Sequence, residues 1–149
     1  MYLRTYLKSW PRALCLSLCL FVFGGLAAGH AGEIEYRLLL QVSEDNASRL
    51  NLALNNARNA QSAFGADNIE IEIVVFGPGI HTLTDFAPAY MADKVKKAGE
   101  SGVRIVACEN SMRAFELSAE ELLPEVEYVA SGVAELIEKQ AKGWTYIRP

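Results

Sequence analysis

Three apolar runs, each closed by a polar or glycine-rich break and followed by helical periodicity, constrain this chain more than any other feature. "EIEYRLLLQV" (Glu33 to Val42) and "IEIEIVVF" (Ile69 to Phe76) begin as alternating residues and then become continuously apolar. "VRIVAC" (Val103 to Cys108) is apolar except for Arg104. Alternation marks a strand with one covered face, and a continuous apolar run marks a strand covered on both. Strands of this kind separated by helices predict a mostly parallel sheet with helices on both faces.

The intervening segments fit that scheme. After the capping residues of "SEDN", Leu50, Ala53, Leu54, Ala57 and Ala60 recur at the spacing of one helical face, predicting a helix over 47–64. Asn51, Asn55, Asn56 and Asn59 lie mostly off that stripe, as a solvated face or as one that meets another subunit. A second helix is expected over 86–98, ending in Lys94, Lys96 and Lys97. A third is expected over 132–142, capped by Ser131, with Val133, Leu136 and Ile137 facing inward. "SAEE" (Ser118 to Glu121) has capping-box spacing, while "VEYVA" and "WTYI" supply a fourth strand and a short fifth. Parallel strands bring their carboxyl ends to one rim, where ligands of open α/β sheets bind. That rim collects Ser43, Asp45, the Gly77 to His81 loop, Cys108 to Ser111, and Ser131.

The first thirty-one residues have a different character. Arg4, Lys8 and Arg12 precede the apolar "ALCLSLCLFVFGGLAA", and small residues at Gly29 and Ala31 follow. This is the pattern of a secretory signal peptide, and its apolar run is short of the roughly 20 residues of a membrane span. Residues 1–31 are therefore expected to be removed on export to the periplasm. Residues 32–149 are expected to form a single domain, with no membrane contact beyond the signal.

Without that segment, eleven basic residues stand against eighteen acidic ones, a net charge of −7, with one cysteine (Cys108) and one histidine (His81). An acidic domain with no basic cluster lacks the electrostatic footprint of a nucleic-acid binder. A single cysteine excludes an intramolecular disulfide. One copy lacks the three or four ligands of a zinc site, and a metal shared by His81 or Cys108 of several copies has no ligand spacing behind it. No phosphate loop, dinucleotide fingerprint or nucleophile elbow is present, so no cofactor is expected.

Two rim residues can carry chemistry. The backbone N–H groups after Cys108 lead into a turn and favour a thiolate, with Arg113 assisting and Glu109 opposing. A thiolate is the nucleophile of persulfide and disulfide exchange. Cys108 also follows Ile105, Val106 and Ala107, so it fits equally as a small core hydrophobe. His81 follows Gly77, Pro78 and Gly79, a turn whose glycines let a ligand or thiol approach the main chain. It can exchange a proton near neutral pH or be an ordinary loop residue. Asn110 and Ser111 can hydrogen-bond a sulfur substituent or cap a helix.

Taken in order, "LNLALNNARN", "VVFGPGIHTL", "VACENSM" and "ELLPEVEYVASGVAELIEKQAKGWTYIRP" resemble the DsrE/DsrF-like family, specifically its small exported members. The resemblance runs from about Tyr36 to the last residue, and the combination of pieces is what makes it specific. It implies a three-layer α/β/α domain with a mainly parallel, about five-stranded sheet, assembled as a trimer or hexamer. Its better-known relatives act in sulfur relay, where a cysteine takes up sulfane sulfur as a persulfide and passes it to a partner thiol. By position in the C-x-N-[ST] step, Cys108 would be the sulfur-carrying residue. His81, Asn110 and Ser111 match recurring motif positions, and the persulfide would sit beside the Gly77 to Gly79 turn. Those relatives are cytoplasmic, so the sulfane-sulfur donor and the acceptor thiol do not transfer to an exported chain.

Two functions compete on this evidence. One is a persulfide carrier, or sulfurtransferase-like protein, using Cys108. The other is a non-catalytic oligomeric binding or assembly module in which Cys108 is structural.

Overall fold

The computed structural model describes residues 34–149; the signal peptide expected over 1–31 lies outside them. Among the described residues the order is β1 (Tyr36–Val42), α1 (Ala47–Phe64), β2 (Ile69–Val75), α2 (Ala89–Glu100), β3 (Val103–Cys108), α3 (Glu109–Ala114), β4 (Glu127–Val129), α4 (Gly132–Ala141) and β5 (Thr145–Ile147). A 3-10 helix at Gly77–Leu83 follows β2. The five strands form one sheet in the order β4-β3-β2-β1-β5. Every pairing is parallel, as crossover connections between successive strands require.

Period-2 alternation divides the strand residues between two layers. Leu38, Leu40, Ile71, Ile73, Val75, Val103 and Ile105 pack against Leu50, Ala53, Leu54 and Ala57 of α1 and Met91 and Val95 of α2. On the opposite face Leu39, Val74 and Val106 pack against Leu136 of α4 and Trp144. The expected α/β/α arrangement is thus present among the described residues, with α1, α2 and Met112 of α3 on one face and α4 on the other.

The boundaries differ from expectation where local chemistry intervenes. The second helix starts at Ala89 rather than at residue 86. Pro88 explains the delay, because a residue preceding proline is disfavoured in the helical region. Of the three inward residues expected on α4, only Leu136 is buried; Val133 is 52% and Ile137 62% exposed. A single helix across this face can turn only one narrow stripe inward, so the flanking residues of an otherwise apolar helix stay outside. Of the asparagines on α1, Asn51 accepts a hydrogen bond from Lys94 of α2, and Asn59 is exposed. The edge strands β4 and β5 are three residues each, shorter than the apolar runs that signal them.

Candidate functional site

Cys108 is the last residue of β3 and the N-cap of α3. In the register it lies beside Val129 of β4, and Val106 beside Glu127. Its side chain therefore projects to the face covered by α4. The residue is 4% exposed. Burial by itself pushes the thiol pKa up. The Ser111 hydroxyl and the backbone N–H groups of Gly132, Ser111 and Asn110 act in the opposite direction and outweigh it. The net result is a pKa below the ordinary cysteine value, set by donors from the first turns of two different helices.

Ser111 connects this thiol to the loop after β2. Its buried Oγ accepts the Gly77 N–H at 2.7 Å, which leaves its own hydroxyl hydrogen for the sulfur. Gly77 adopts φ 54°, a left-handed conformation that favours glycine. Pro78 occupies the first turn of the 3-10 helix that follows. At Gly79 a Cβ would lie 2.8 Å from the Val42 carbonyl oxygen, so the loop can rest on the end of β1 only without a side chain there. Gly132 is required for a similar reason. A Cβ there would lie 2.9 Å from the Phe76 Cβ, so the start of α4 can rest on Phe76 only without a side chain there. The Ser131 side chain caps the helix by accepting from the Ala134 N–H at 3.3 Å.

The sequence-predicted residues are only partly brought together. Cys108, Ser111 and the Asn110 backbone form one cluster, with Gly77 attached through Ser111. The Asn110 side chain is exposed, and its Oδ1 accepts from Arg113. Arg113 also pairs with Glu109 at 3.8 Å, so these opposite charges meet each other, and neither is among the groups that shift the thiol. His81 is half-buried at the same rim, with its ring edge-on to Phe115 at 4.7 Å. It is likewise absent from the groups acting on Cys108. Gly132 is the site residue that sequence reasoning missed. The available signal was a capping serine and glycine directly after β4, on the same rim as β3.

A second polar cluster lies on the α4 face, below Val74 and Val106 in the strands. Glu72 of β2 is fully buried, and its Oε2 accepts from Arg104 of β3 at 2.6 Å and Lys139 of α4 at 2.8 Å. Its Oε1 has no hydrogen-bond partner. Burial raises the Glu72 pKa, against the opposing pull of Lys139 and Arg104. Lys139 also approaches Glu135 at 3.6 Å and lies 4.2 Å over the Trp144 ring. Arg104 continues to Glu127 at 2.8 Å.

Elsewhere, a groove of about 600 Å³ opens at the opposite end of the sheet, beside Tyr36, Phe64 and Ile69. Tyr36 and Ile69 begin their strands whereas Cys108 ends one, so this groove is remote from the thiol. No group of three or more potential metal ligands occurs among the described residues. No helix among them is long and apolar enough to cross a membrane.

A parallel α/β/α domain with a hydrogen-bonded cysteine at its carboxyl rim is the class that this geometry defines. The chain belongs to the DsrE/DsrF-like family, whose match spans residues 37–149. It is similar to a solved protein of unknown function, MTH1491 from Methanobacterium thermoautotrophicum. That similarity has 34% identity and a TM-score of 0.70, over 76% of this chain and 99% of that one. The fold is shared with ychN of E. coli at 12% identity and TM-score 0.63, over 77% of this chain and 99% of that one. It is also shared with BT1422 of Bacteroides thetaiotaomicron, a conserved protein of unknown function, at 16% identity and TM-score 0.56, over 79% and 100%. No curated protein matches the chain.

Proposed function

We propose that this protein is a single-cysteine sulfur carrier in which Cys108 holds sulfane sulfur as a persulfide. The observation that carries the reading is the place of Cys108 at the carboxyl rim, where the Ser111 hydroxyl and backbone N–H groups at the starts of α3 and α4 lower its pKa against the effect of burial. A cysteine that serves only as a core hydrophobe needs no such set of donors. The Cys108 thiolate attacks the sulfane sulfur of a donor such as thiosulfate, and a new S–S bond forms. The donor's own S–S bond breaks, and sulfite leaves with the electron pair. An acceptor thiolate then attacks the outer sulfur of the persulfide, becomes a persulfide itself, and returns Cys108 as a thiolate. The donors that favour the resting thiolate also favour it as the leaving group in this second step.

The same reading includes export of residues 32–149 to the periplasm after removal of a signal peptide, and assembly into a trimer or hexamer. The basic, apolar and small-residue order of the first thirty-one positions supports the first part. The exposed Val133 and Ile137 of α4 support the second. They also favour the second reading, an assembly module with a structural Cys108, because an apolar helix face suits a partner surface whatever the thiol does.

Incubation of residues 32–149, in which Cys108 is the single cysteine, with thiosulfate or polysulfide, followed by intact-mass measurement, tests the carrier. One added sulfur raises the mass of the native protein by about 32 Da, and Cys108→Ser abolishes the gain. No gain, or an equal gain on the variant, refutes the carrier and leaves the assembly module.

A further inference from the structure

A buried ion pair under α4 lies about two helical turns from the start of that helix. Gly132, the first residue of α4, follows three positions after Val129, the register neighbour of Cys108, and its N–H is among the groups that lower the thiol pKa; Lys139 lies further along the same helix. The seven intervening steps place Lys139 about 10 Å along the axis at 1.5 Å per residue. Its Nζ reaches from the α4 layer to Glu72, on the central strand β2, at 2.8 Å. Trp144 lies beneath the ammonium at 4.2 Å, and Glu135 flanks it at 3.6 Å. The lysine side chain is only 12% exposed. A long charged side chain held this completely restricts both the height and the rotation of its helix.

The other end of α4 is held mainly by packing. Gly132 rests on Phe76, the Ser131 hydroxyl caps the first turn, and Leu136 is the buried apolar contact between the two ends. Val133 and Ile137 face outward and add nothing to the fit against the sheet.

We propose that Lys139, through its ion pair with the buried Glu72, is a positioning residue for the reacting sulfur: the pair pins α4 to β2 and so fixes the distance at which the Gly132 N–H meets Cys108. The inference rests on Cys108 as the reacting atom. Lys139 touches neither the sulfur nor anything bonded to it, and acts only through the helix. The charged groups facing the pair are Arg104 from β3 and Glu135 from α4 itself, with Glu127 of β4 reached through Arg104.

The rate of Cys108 alkylation as a function of pH separates this role from a direct effect of charge. Lys139→Met and Glu72→Gln both remove the pin, so both variants shift the midpoint of thiol ionisation upward, by about half a unit to one unit, as the loss of a helix N-terminal donor does. Through-space electrostatics predicts opposite shifts, because one variant removes a positive charge and the other a negative one. Lys139→Arg retains the pin and restores the wild-type profile. Opposite shifts, or no shift in folded variants, overturn the proposal. If Lys139→Met does not fold, Glu72→Gln makes the decisive measurement alone, since an upward shift there has the wrong sign for charge. The sulfur adduct is read separately by mass: an upward shift with no adduct leaves Lys139 a positioning residue and removes the carrier, whereas an adduct with no shift does the reverse.

Discussion

Gly77 and Ser111, thirty-four positions apart, are joined by one hydrogen bond in which the Gly77 N–H donates to the Ser111 Oγ at 2.7 Å. That bond ties the loop after β2 to the first turn of α3 and orients the Ser111 hydroxyl hydrogen toward Cys108. Ser111→Ala removes both interactions. It leaves the Gly77 N–H without its partner, costing about 1–2 kcal/mol in urea unfolding, and it moves the thiol pKa upward. Ser111→Thr keeps the hydroxyl, so its alkylation midpoint stays closer to wild type.

Close packing at the rim makes two glycines unequal. Gly132→Ala sets a methyl group 2.9 Å from the Phe76 Cβ, which a change of rotamer does not move, and 3.2 Å from ring atoms that can turn aside, and costs about 1–3 kcal/mol by overpacking. Gly79→Ala meets the Val42 carbonyl oxygen, a backbone atom fixed in β1. The melting temperature therefore falls further for Gly79→Ala.

The perturbed thiol leaves a signature in the pH dependence of stability. The folded-state pKa of Cys108 is lowered, so above it the folded chain binds fewer protons than the unfolded one. Wild type therefore gains stability relative to Cys108→Ser as pH rises from the folded pKa to the unfolded value near about 8.5. Below the folded pKa that difference is flat. Urea midpoints of the two proteins measured across this window give the sign directly.

The buried ion pair predicts an asymmetry between single and double substitutions. Lys139→Met leaves the fully buried Glu72 with Arg104 as its one remaining cation, and costs about 3–5 kcal/mol. Replacing both partners with Glu72→Leu and Lys139→Met removes the orphaned charge. The double variant is then more stable than the single one, which a double-mutant cycle in urea measures.

The sheet was legible in the sequence because its signal is local. Runs such as "IEIEIVV" show both the alternation and the burial of β2, and of the stripe Leu50, Ala53, Leu54, Ala57 and Ala60 the first four are buried in α1 while Ala60 is partly buried against the core. Parallel topology then placed the loop at Gly77, Cys108 and Ser131 on one rim without any knowledge of contacts. What it could not decide was which groups on that rim touch. His81 shares the rim yet packs on Phe115, while Gly132, which has no side chain to attract notice, is among the groups that lower the thiol pKa. The inward orientation expected for Val133 and Ile137 failed because apolar composition does not reveal how many layers a helix has to pack against. Glu72 was hidden for a similar reason. In an alternating strand a carboxylate reads as solvent-facing, and only the neighbouring Arg104 and the overlying Lys139 make its burial tenable.

The most direct test of the account is the pH dependence of iodoacetamide labelling of Cys108 in the native protein, with Cys108→Ser as the blank. Donors that outweigh burial at a rim thiol predict labelling without denaturant, with a midpoint below the value of about 8.5 of an unperturbed cysteine. Labelling that requires unfolding, or a native midpoint at or above that value, would contradict it.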